Sequence, residues 1–490
     1  MESFDLLVIG GGINGAAIAR DAAGRGLSVL LVEKDDLASH TSSASSKLAH
    51  GGLRYLERYE FRLVRDSLAE RETLLRNAPH IVRPLRFILP VTKGMRPRWM
   101  LRLGLLLYDL LALRGSLPRS RGVGRADPVR APLKDSARLS LLSYWDAWAD
   151  DARLVALNAL DAAERGAEIA TRTEFLSARR AGGVWRVALS GGREVTAPLL
   201  VNAAGPWVGE LLGHRIGEPG DPWVRLVRGS HIVVPALWEG DHAYILQQAD
   251  GRVVFAIPFE GATMIGTTDF PASGPEDAAP SEEEIAYLCA AANLYFQSQV
   301  SPADVIWSFA GIRTLSEDLT PNPKDSSREH RFELGDGIIS VFAGKLTTAR
   351  AVASEALDHL GVPGLKFTRT SPLPGGDLFP PFLAWLEEVA AWMDPPLLAR
   401  LSRAYGTRMQ DIVGSARRMQ DLGRHFGHGL HEAELTYLTQ KEFARTADDV
   451  LWRRTKLGLR FSAAETEALG RWLEARHGTK RRIAVPTPLP

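Results

Sequence analysis

A glycine-rich turn near the N-terminus constrains the fold of this chain more than any other feature. Residues 4–10, FDLLVIG, form a short apolar run that predicts a buried parallel strand. The turn Gly10-Gly11-Gly12-Ile13-Asn14-Gly15 follows at once, residues 13–25 predict an Ala-rich helix, and the apolar run 27–33 predicts a second strand. This order predicts the start of a doubly wound α/β sheet.

The same turn predicts a dinucleotide-binding site. Glycine permits the tight turn and brings the backbone close to a pyrophosphate, whose charge meets the free N–H groups of the helix N-terminus. Glu33 ends the second strand 23 residues after Gly10, where its carboxylate can bind a ribose hydroxyl. The alternative, a glycine-rich turn without a ligand, is weaker because all of these elements occur together.

FAD and NAD both fit this turn, and the next segment bears on the choice. Residues 41–55, TSSASSKLAHGGLRY, place a loop of small, hydroxyl-bearing residues shortly after Glu33. Such a loop can follow an extended pyrophosphate and a bulky ring system, whereas the alternative is a flexible serine linker. The segment runs into an apolar helix start that carries Arg54 and Tyr55, which an idle linker would not need.

Composition excludes several classes of protein. The 490 residues carry 59 basic and 58 acidic side chains, for a formal net charge of +1, which excludes a globally basic nucleic-acid binder. The length predicts two to four domains. The single cysteine, Cys289, cannot form an internal disulfide and favours a reducing compartment. Acidic residues near Met1 argue against a signal peptide, and we expect no transmembrane helix.

The pattern along the chain predicts several domains. Strand-like segments between residues 225 and 270 predict an antiparallel sheet inserted into the α/β domain, and residues 336–350 read as strand, glycine turn and helix. Residues 154–170 read as a helix, and residues 194–205 as one further strand. We expect a discontinuous cofactor-binding domain at 1–80, 151–207 and 310–370, a capping domain at 81–150 and 208–309, a linker at 371–381, a C-terminal helical domain at 382–476 and a tail at 477–490.

One segment of the capping domain is both basic and apolar. Residues 83–125 contain ten Lys or Arg and one acid, Asp109, while residues 96–114 are rich in Leu with Trp99 and Tyr108. Cationic flanks around a wide apolar surface fit a helix lying on an anionic lipid surface. The alternative is a buried cap helix with charged ends, and the residues alone do not decide between the two.

Several segments together resemble the FAD-dependent glycerol-3-phosphate dehydrogenases, the aerobic respiratory family within the D-amino-acid-oxidase-like flavoproteins. The most specific is SSASSKLAHGGLRYLE at 42–57, and further matching runs are VNAAGPWV, GSHIVVP, GTTD, SVFAGKLTTAR and ADDVLWRRTKLGL. The resemblance extends from residue 1 into the C-terminal helical region.

The resemblance implies a fold and an activity. It implies a Rossmann-type FAD-binding domain, an inserted antiparallel-sheet substrate cap and a C-terminal all-helical domain. It also implies oxidation of sn-glycerol 3-phosphate to dihydroxyacetone phosphate, with electrons passing to membrane quinone. The protein is then expected in the cytoplasm, attached peripherally to the inner face of the cell membrane. We expect no bound metal, and the oligomeric state, including a homodimer, is left undecided.

Three rival functions remain open at this point. The nearest is an oxidase of the same substrate that delivers electrons to oxygen. The second is an amine or amino-acid oxidase of the same fold. The third is a binding or regulatory flavoprotein in which the C-terminal helices are the functional part.

The chemistry of a phosphorylated secondary alcohol selects the substrate residues. Arginine grips a phosphate dianion with a fork of donors, and a base must take the hydroxyl proton. With 49 arginines in the chain, a surface ion pair is the alternative for each one. His231 is the first choice for general base because its ordinary pKa lies near working pH, the alternative being a satisfied histidine of the cap sheet. The catalytic candidates are His231, Arg313, Lys345, Arg54 and Tyr55, and Thr268, Asp269 and Arg328 complete the substrate-binding set.

The cofactor residues come from the glycine turn, the hydroxyl-rich loop and two later glycine turns. Lys345 and Thr347 stand at a strand-to-helix turn that can direct N–H groups and a cation at the flavin, the alternative being a simple helix cap. His50 is also a candidate for a covalent flavin link. The full set is Gly10, Gly11, Gly12, Ile13, Asn14, Gly15, Glu33, Lys34, Thr41, Ser42, Ser45, Ser46, Lys47, Leu48, His50, Gly51, Gly52, Ala204, Gly205, Trp207, Gly344, Lys345, Leu346 and Thr347.

Overall fold

The computed structural model describes residues 1–92, 96–112, 115–138, 140–217, 224–316 and 330–478. The chain divides into two compact units, residues 1–377 and residues 378–490. The division falls inside the segment for which the sequence predicts a linker, and a helix, Pro380–Ala390, already begins there.

The first sheet of the larger unit has the predicted doubly wound α/β character. Its strands are short and the four inner ones are mostly apolar. Neighbouring strands run parallel except at one edge, where Arg331–Gly335 and Ile338–Phe342 are antiparallel. Their spatial order is Arg331–Gly335, Ile338–Phe342, Leu199–Asn202, Leu6–Ile9, Val29–Glu33 and Glu168–Thr171. Helices Ile13–Gly24, Asp151–Glu164 and Ala349–His359 pack beside one another against it, so the α/β prediction is confirmed.

Residues 194–205 differ from the single strand that the sequence predicts. Glu194–Ala197 belongs to a separate four-stranded sheet, whereas Leu199–Asn202 joins the parallel sheet. Pro198 lies between them and has no N–H to donate to a ladder, so the strand breaks there. The other strands of the small sheet are Glu2–Ser3, Val184–Leu189 and Phe175–Ala181.

The hydroxyl-rich loop leads into a 3₁₀ turn, Leu53–Arg58, which is followed by the helix Phe61–Asn77. The helix predicted at 154–170 begins earlier, at Asp151, because the Asp150 side chain caps it by accepting from the backbone N–H of Arg153. The last part of that predicted segment is the strand Glu168–Thr171 instead.

The cap is a ten-stranded sheet with helices Arg98–Leu111, Asp135–Arg138 and Glu282–Asn293 around it. One pair, Val82–Pro90 with Ala243–Gln247, is parallel, and the other pairs are antiparallel. The remaining strands are Leu48–Ala49, Arg121–Gly122, Leu141–Ala149, Val224–Pro235, Val253–Phe259, Ala262–Gly266, Phe270–Pro271 and Trp307–Ser316.

Two strands of the cap sheet come from segments that the sequence assigns to the cofactor domain. Trp307–Ser316 pairs with Val224–Pro235 on both sides of residue 310, where the expected boundary lies. Leu48–Ala49, which follows the hydroxyl-rich loop, pairs with Leu141–Ala149. These strands place the ends of the loop and the residues near 313 in the cap.

The second unit is helical, as the sequence predicts, with one short hairpin. Its helices are Pro380–Ala390, Pro395–Tyr405, Met409–Val413, Glu432–Lys441 and Ala463–Gly478, and the hairpin joins His425–Gly427 to Leu430–His431. Their apolar faces form one core that includes Leu401, Tyr405 and Leu438. Among the described residues of the whole chain, no helix combines the length and the apolar character that crossing a membrane requires.

Candidate active site

A cavity of about 1350 Å³ lies in the first unit, at the carboxyl ends of four parallel strands. Ile9, Glu33, Ala203 and Ala343 mark those ends, and the cap sheet supplies the opposite wall with residues such as Phe255. Ligand sites of ordinary size measure roughly 300–1000 Å³, so this cavity has room for an extended dinucleotide and a small substrate. Open α/β sheets bind their ligands at this edge.

The glycine turn forms one wall of the cavity. Gly10 has a φ of +107°, and a Cβ there would lie 2.5 Å from the carbonyl oxygen of Ala203. A Cβ on Gly15 would overlap the carbonyl oxygen of Gly10, so the helix Ile13–Gly24 can approach the strand this closely only with glycine. The turn therefore leaves its backbone open to a pyrophosphate, as the sequence predicts.

Glu33 lines the same end of the cavity and is held by two backbone groups. Its Oε2 accepts a hydrogen bond from the N–H of Gly11 at 2.7 Å, and its Oε1 accepts from the N–H of Asp35 at 2.9 Å. Burial raises the pKa of Glu33, and these two donors oppose the rise. The fixed carboxylate suits recognition of a ribose hydroxyl.

Asn14 joins the glycine turn to the later turn at Gly344. Its Nδ2 donates to the carbonyl oxygen of Ala343 at 3.1 Å. Its Oδ1 is buried and has no hydrogen-bond partner within the described part of the chain. Because buried polar atoms are nearly always bonded, an acceptor left over in the wall of the cavity fits a bound ligand.

The hydroxyl-rich loop is fixed from both sides. Thr41 Oγ1 donates to the carbonyl oxygen of Ile312 at 2.7 Å, and Ser42 Oγ accepts from the N–H of Ile13 at 3.0 Å. Ser45 Oγ donates to Asp151 at 2.7 Å. The loop is therefore a folded part of the cavity wall and differs from a flexible serine linker.

Lys47 differs from its predicted role at the cofactor. Its side chain is buried, its ammonium lies 2.9 Å from a carboxylate oxygen of Asp151, and it does not line the cavity. It also donates to the carbonyl oxygen of Ser43 at 3.0 Å. Lys47 thus fixes the loop from behind, because an ammonium buried at this depth requires an anionic partner.

Arg313 is the cation on the cap side of the cavity. Its Nη1 lies 2.6 Å from Asp269, and its Nη2 donates to Thr267 Oγ1 at 2.8 Å. A Cβ on Gly229 would lie 2.4 Å from the same guanidinium, so any larger residue there would displace the Arg313 side chain. Arg313, Asp269 and Thr267 all line the cavity, where an anionic group can reach the guanidinium.

Thr268 differs from its predicted role in substrate binding. It is fully buried and outside the cavity lining. Its hydroxyl donates to Glu284 at 2.6 Å and accepts from the N–H of Ser230 at 2.8 Å. The hydroxyl of this turn that contacts Arg313 belongs to Thr267. Thr268 instead holds the turn in place through Glu284 and Ser230.

Lys345 and Tyr55 form a second polar group on the wall. The Nζ of Lys345 lies 3.8 Å from the centre of the Tyr55 ring, in a cation–π contact. Next to them, the N–H of His50 donates to Thr347 Oγ1 at 3.2 Å, which connects the hydroxyl-rich loop to the turn at 344–347. All four residues line the cavity.

His231 differs from the predicted general base in its position. It is 1% exposed, stacks on Phe309 with ring centres 4.8 Å apart, and does not line the cavity. Its Nε2 lies 2.9 Å from Ser46 Oγ, so Ser46 stands between it and the cavity. Burial lowers the pKa of His231 well below 6.5, and the charges of Arg313 and Lys47 lower it further. The imidazole is therefore neutral and lacks direct access to a substrate.

The cavity brings together most of the residues that the sequence selects. Of the selected residues that the structure describes in full, six do not line it: Gly11, Gly15, Lys47, Gly51, His231 and Thr268. Arg328 and the side chain of Arg54 lie outside the described residues. The selected residues that line it are Gly10, Gly12, Ile13, Asn14, Glu33, Lys34, Thr41, Ser42, Ser45, Ser46, Leu48, His50, Gly52, Tyr55, Ala204, Gly205, Trp207, Asp269, Arg313, Gly344, Lys345, Leu346 and Thr347.

Sequence reasoning missed two buried carboxylates that support the site. Asp151 holds Ser45 and Lys47 from a distance of about a hundred residues in the chain, and no local pattern marks that contact. Glu284 has a local signal, because Ser281 and Glu284 form a capping box at the start of their helix. That signal identifies the helix start but not the contact with Thr268.

Two family models together match almost the whole chain. The model described as FAD dependent oxidoreductase matches residues 5–350. The model described as C-terminal domain of alpha-glycerophosphate oxidase matches residues 366–475.

Individual relatives of similar length match along the full chain. A glycerol-3-phosphate dehydrogenase of Pseudomonas aeruginosa is 49% identical over 98% of this chain and 97% of its own length. A D-erythritol 1-phosphate dehydrogenase of Brucella abortus is 47% identical over 96% of this chain and 98% of its own. The crystal structure of the glycerol-3-phosphate dehydrogenase from Bacillus halodurans, complexed with FAD, has a TM-score of 0.76 at 27% identity and covers 98% of this chain and 92% of its own.

These matches agree with the geometry of the cavity. The glycine turn, Glu33, the unbonded Oδ1 of Asn14 and the available volume fit FAD, and the prediction of this cofactor is confirmed. The chain therefore belongs to the FAD-dependent oxidoreductase family and, within it, to the glycerol-3-phosphate dehydrogenases.

Proposed function

We propose that the protein oxidises sn-glycerol 3-phosphate to dihydroxyacetone phosphate and passes the electrons to a membrane quinone. The observation that carries the substrate assignment is Arg313, a cation held by Asp269 on the wall of a cavity that fits FAD. Bound FAD supplies the acceptor for the two electrons and the hydrogen that leave the alcohol carbon.

Arg313 and Lys345 are proposed to hold the phosphate group. The Arg313 side chain is 23% exposed, so a phosphate can approach the guanidinium while Asp269 and Thr267 keep its plane fixed. A guanidinium presents paired donors to phosphate oxygens, whereas the ammonium of Lys345 contributes a single positive charge. Arg54 and Arg328 remain in the proposed substrate set on the resemblance alone.

The buried His231 is proposed to act through Ser46. Its Nε2 and Ser46 Oγ are in hydrogen-bond contact, and Ser46 lines the cavity beside the other loop hydroxyls. A positively charged imidazolium would be unfavourable at this depth beside Lys47 and Arg313. His231 therefore fixes the orientation of the Ser46 hydroxyl instead of carrying a proton away from the substrate.

A membrane-facing surface is proposed on the helix Arg98–Leu111, here called the surface helix. Trp99, Leu103, Leu106 and Leu110 form one apolar stripe along it and are between 49% and 70% exposed. Its charged residues instead form hydrogen bonds with neighbouring loops. Arg102 Nη1 donates to the carbonyl oxygen of Ser120 at 2.9 Å, and Asp109 accepts from the N–H of Ser120 at 2.9 Å. Arg98 donates to Ser140. An exposed apolar stripe with basic flanks fits the inner face of the cell membrane.

The position of the same helix favours the proposal that a quinone is the electron acceptor. Met100, Leu101, Leu103, Gly104 and Leu107 line the cavity, and Leu103 is also part of the exposed stripe. An apolar acceptor dissolved in lipid is therefore proposed to enter the cavity along this helix.

The acceptor is tested with the purified FAD-loaded protein. In the presence of sn-glycerol 3-phosphate we expect rapid reduction of a short-chain quinone and slow formation of hydrogen peroxide in air. Peroxide formation as fast as quinone reduction would instead assign an oxidase of the same substrate.

A second candidate substrate is D-erythritol 1-phosphate. The observation that favours it is the 47% identity to the dehydrogenase of Brucella abortus, only slightly below that to the glycerol-3-phosphate dehydrogenase of Pseudomonas aeruginosa. Both compounds carry a phosphate that Arg313 can bind, and they differ in length by one hydroxymethylene carbon. Comparing kcat/KM for the two compounds at equal enzyme concentration decides between them.

A further inference from the structure

Tyr108 extends inward from the surface helix and is 2% exposed. Its hydroxyl donates to Asp146 Oδ2 at 2.7 Å and accepts a hydrogen bond from the backbone N–H of Gly51 at 2.9 Å. Gly51 stands between His50 and Gly52, which both line the cavity, whereas Tyr108 itself does not. A single hydroxyl thus connects the surface helix to the segment His50–Gly52, here called the cofactor loop.

A buried ion pair fixes the position of this hydroxyl. Asp146 is 1% exposed, and its Oδ1 lies 2.7 Å from Nη1 of Arg71, which is also buried. Burial raises the pKa of Asp146 and Arg71 opposes the rise. Because the Tyr108 hydroxyl donates its hydrogen bond to Asp146, a lone pair of the phenol oxygen can accept from the N–H of Gly51.

The sequence of the cofactor loop matches this contact. A Cβ on Gly51 would lie 2.7 Å from the Tyr108 hydroxyl oxygen and 2.6 Å from Cδ2 of Leu68. Residue 51 can therefore approach Tyr108 only as glycine. Gly51, which the sequence predicts at the cofactor, thus makes its close contact with Tyr108 of the surface helix.

We infer that Tyr108 is a positioning residue for FAD: it sets the backbone of the cofactor loop through the N–H of Gly51, with Asp146 and Arg71 holding its hydroxyl. The inference rests on the proposed function and on the sequence-based prediction that His50 and Gly52 bind the cofactor. Without the hydroxyl, the backbone N–H of Gly51 loses this hydrogen bond, and the cofactor loop is held less firmly in the position that FAD binds. Losing the hydroxyl should therefore loosen FAD about tenfold.

The test compares two Tyr→Phe variants that each remove one buried hydroxyl. Tyr108→Phe removes the contact with Gly51. Tyr405→Phe is the matched control, because Tyr405 is fully buried in the second unit and its hydroxyl donates to the buried Glu434 at 2.7 Å. The readouts are the FAD dissociation constant of the apoprotein, the absorption spectrum of the bound flavin and the Tm.

We expect both variants to lower the Tm, and only Tyr108→Phe to weaken FAD about tenfold and shift the flavin spectrum. A third variant, Gly52→Ala, tests the underlying placement of the loop, since its Cβ would overlap the Tyr55 ring. If Gly52→Ala weakens FAD and Tyr108→Phe does not, the inference about Tyr108 is overturned while the placement of the loop stands. If neither variant changes FAD binding, the placement fails and the inference fails with it.

Discussion

At the scale of single residues, the most consequential side chain is Arg313. We expect Arg313→Lys to raise the KM for sn-glycerol 3-phosphate at least about tenfold, because a lysine cannot present the paired donors of a guanidinium. FAD content should stay at the wild-type level, since Arg313 acts at the substrate end. Steady-state kinetics and the flavin-to-protein absorbance ratio measure both.

Arg180→Lys is the matched control for this variant. Arg180 binds Asp336 through two nitrogens, and its side chain is also 23% exposed, but it does not line the cavity. Its substitution should leave KM unchanged. An equal effect of the two variants, or no effect of Arg313→Lys, would contradict the assignment of Arg313.

His231 gives a prediction about stability and pH. Its pKa in the folded protein is lowered well below 6.5 by burial, whereas in the unfolded chain it is about 6.5. Below pH 6.5 His231 binds a proton in the unfolded chain but stays neutral in the folded protein. The free energy of unfolding therefore falls as the pH falls below 6.5. The loss is about 1.4 kcal/mol for each further pH unit until the folded group titrates.

Denaturant unfolding from pH 7.5 to pH 5 measures this loss. We expect the free energy of unfolding to fall less steeply with acid in His231→Gln than in the wild type. The control is His359→Gln, which removes an exposed histidine outside the cavity and is measured in the same way. Equal slopes for all three proteins would show that His231 is protonated as readily when folded as when unfolded.

At the scale of elements, the surface helix carries the membrane proposal. Burying a leucine in an apolar phase is worth about 1.5–3 kcal/mol, so Leu106→Glu with Leu110→Glu should weaken binding to anionic vesicles at least tenfold. Vesicle flotation at low salt measures the binding. The control pair Leu176→Glu with Leu294→Glu changes two leucines of similar exposure elsewhere. Binding that persists in the surface-helix variant would contradict the proposal.

Glu284 ties three elements of the cap together. It accepts from Thr268 at 2.6 Å, from Ser230 at 2.8 Å and from Arg228 at 2.8 Å, while it also caps its own helix. The turn at Thr268 carries Asp269, the partner of Arg313. We expect Glu284→Gln to weaken these charge-assisted bonds and raise the KM for sn-glycerol 3-phosphate several-fold, with a smaller change in kcat.

The control for Glu284→Gln is Glu434→Gln in the second unit. Glu434 is equally buried and binds Arg400 and Tyr405. Both substitutions should lower the Tm, but only Glu284→Gln should change KM. A KM that stays at the wild-type value in Glu284→Gln would show that the turn holds its shape without this carboxylate.

The elements were predictable from sequence where their cause is local. The strand, glycine turn and helix at residues 6–24 follow from apolar periodicity and from the conformations that only glycine adopts. The division of Glu194–Ala197 and Leu199–Asn202 between two sheets, and the exchange of Trp307–Ser316 into the cap sheet, depend on pairing between distant segments. The position of His231 behind Ser46 depends on the same kind of long-range pairing. The sequence therefore indicates that an imidazole is present but not whether a substrate can reach it.

At the scale of the whole molecule, charge and apolarity are unevenly distributed. The chain is nearly neutral, yet its segment 83–125, which includes the surface helix, contains ten basic residues and one acid in sequence. The same unit contains the cavity, and the surface helix contributes to its wall. Residues 1–377 therefore contain the flavin site together with the proposed phosphate site and the proposed apolar route for the acceptor.

The measurement that tests this account most directly is anaerobic reduction of the bound flavin by sn-glycerol 3-phosphate. Mixing the FAD-loaded protein with one equivalent of this compound should bleach the oxidised flavin absorbance and release one dihydroxyacetone phosphate per FAD. The Arg313→Lys variant should require a higher concentration for the same bleaching. A flavin that stays oxidised with sn-glycerol 3-phosphate, but is bleached by D-erythritol 1-phosphate or by an amine, would contradict the proposed substrate.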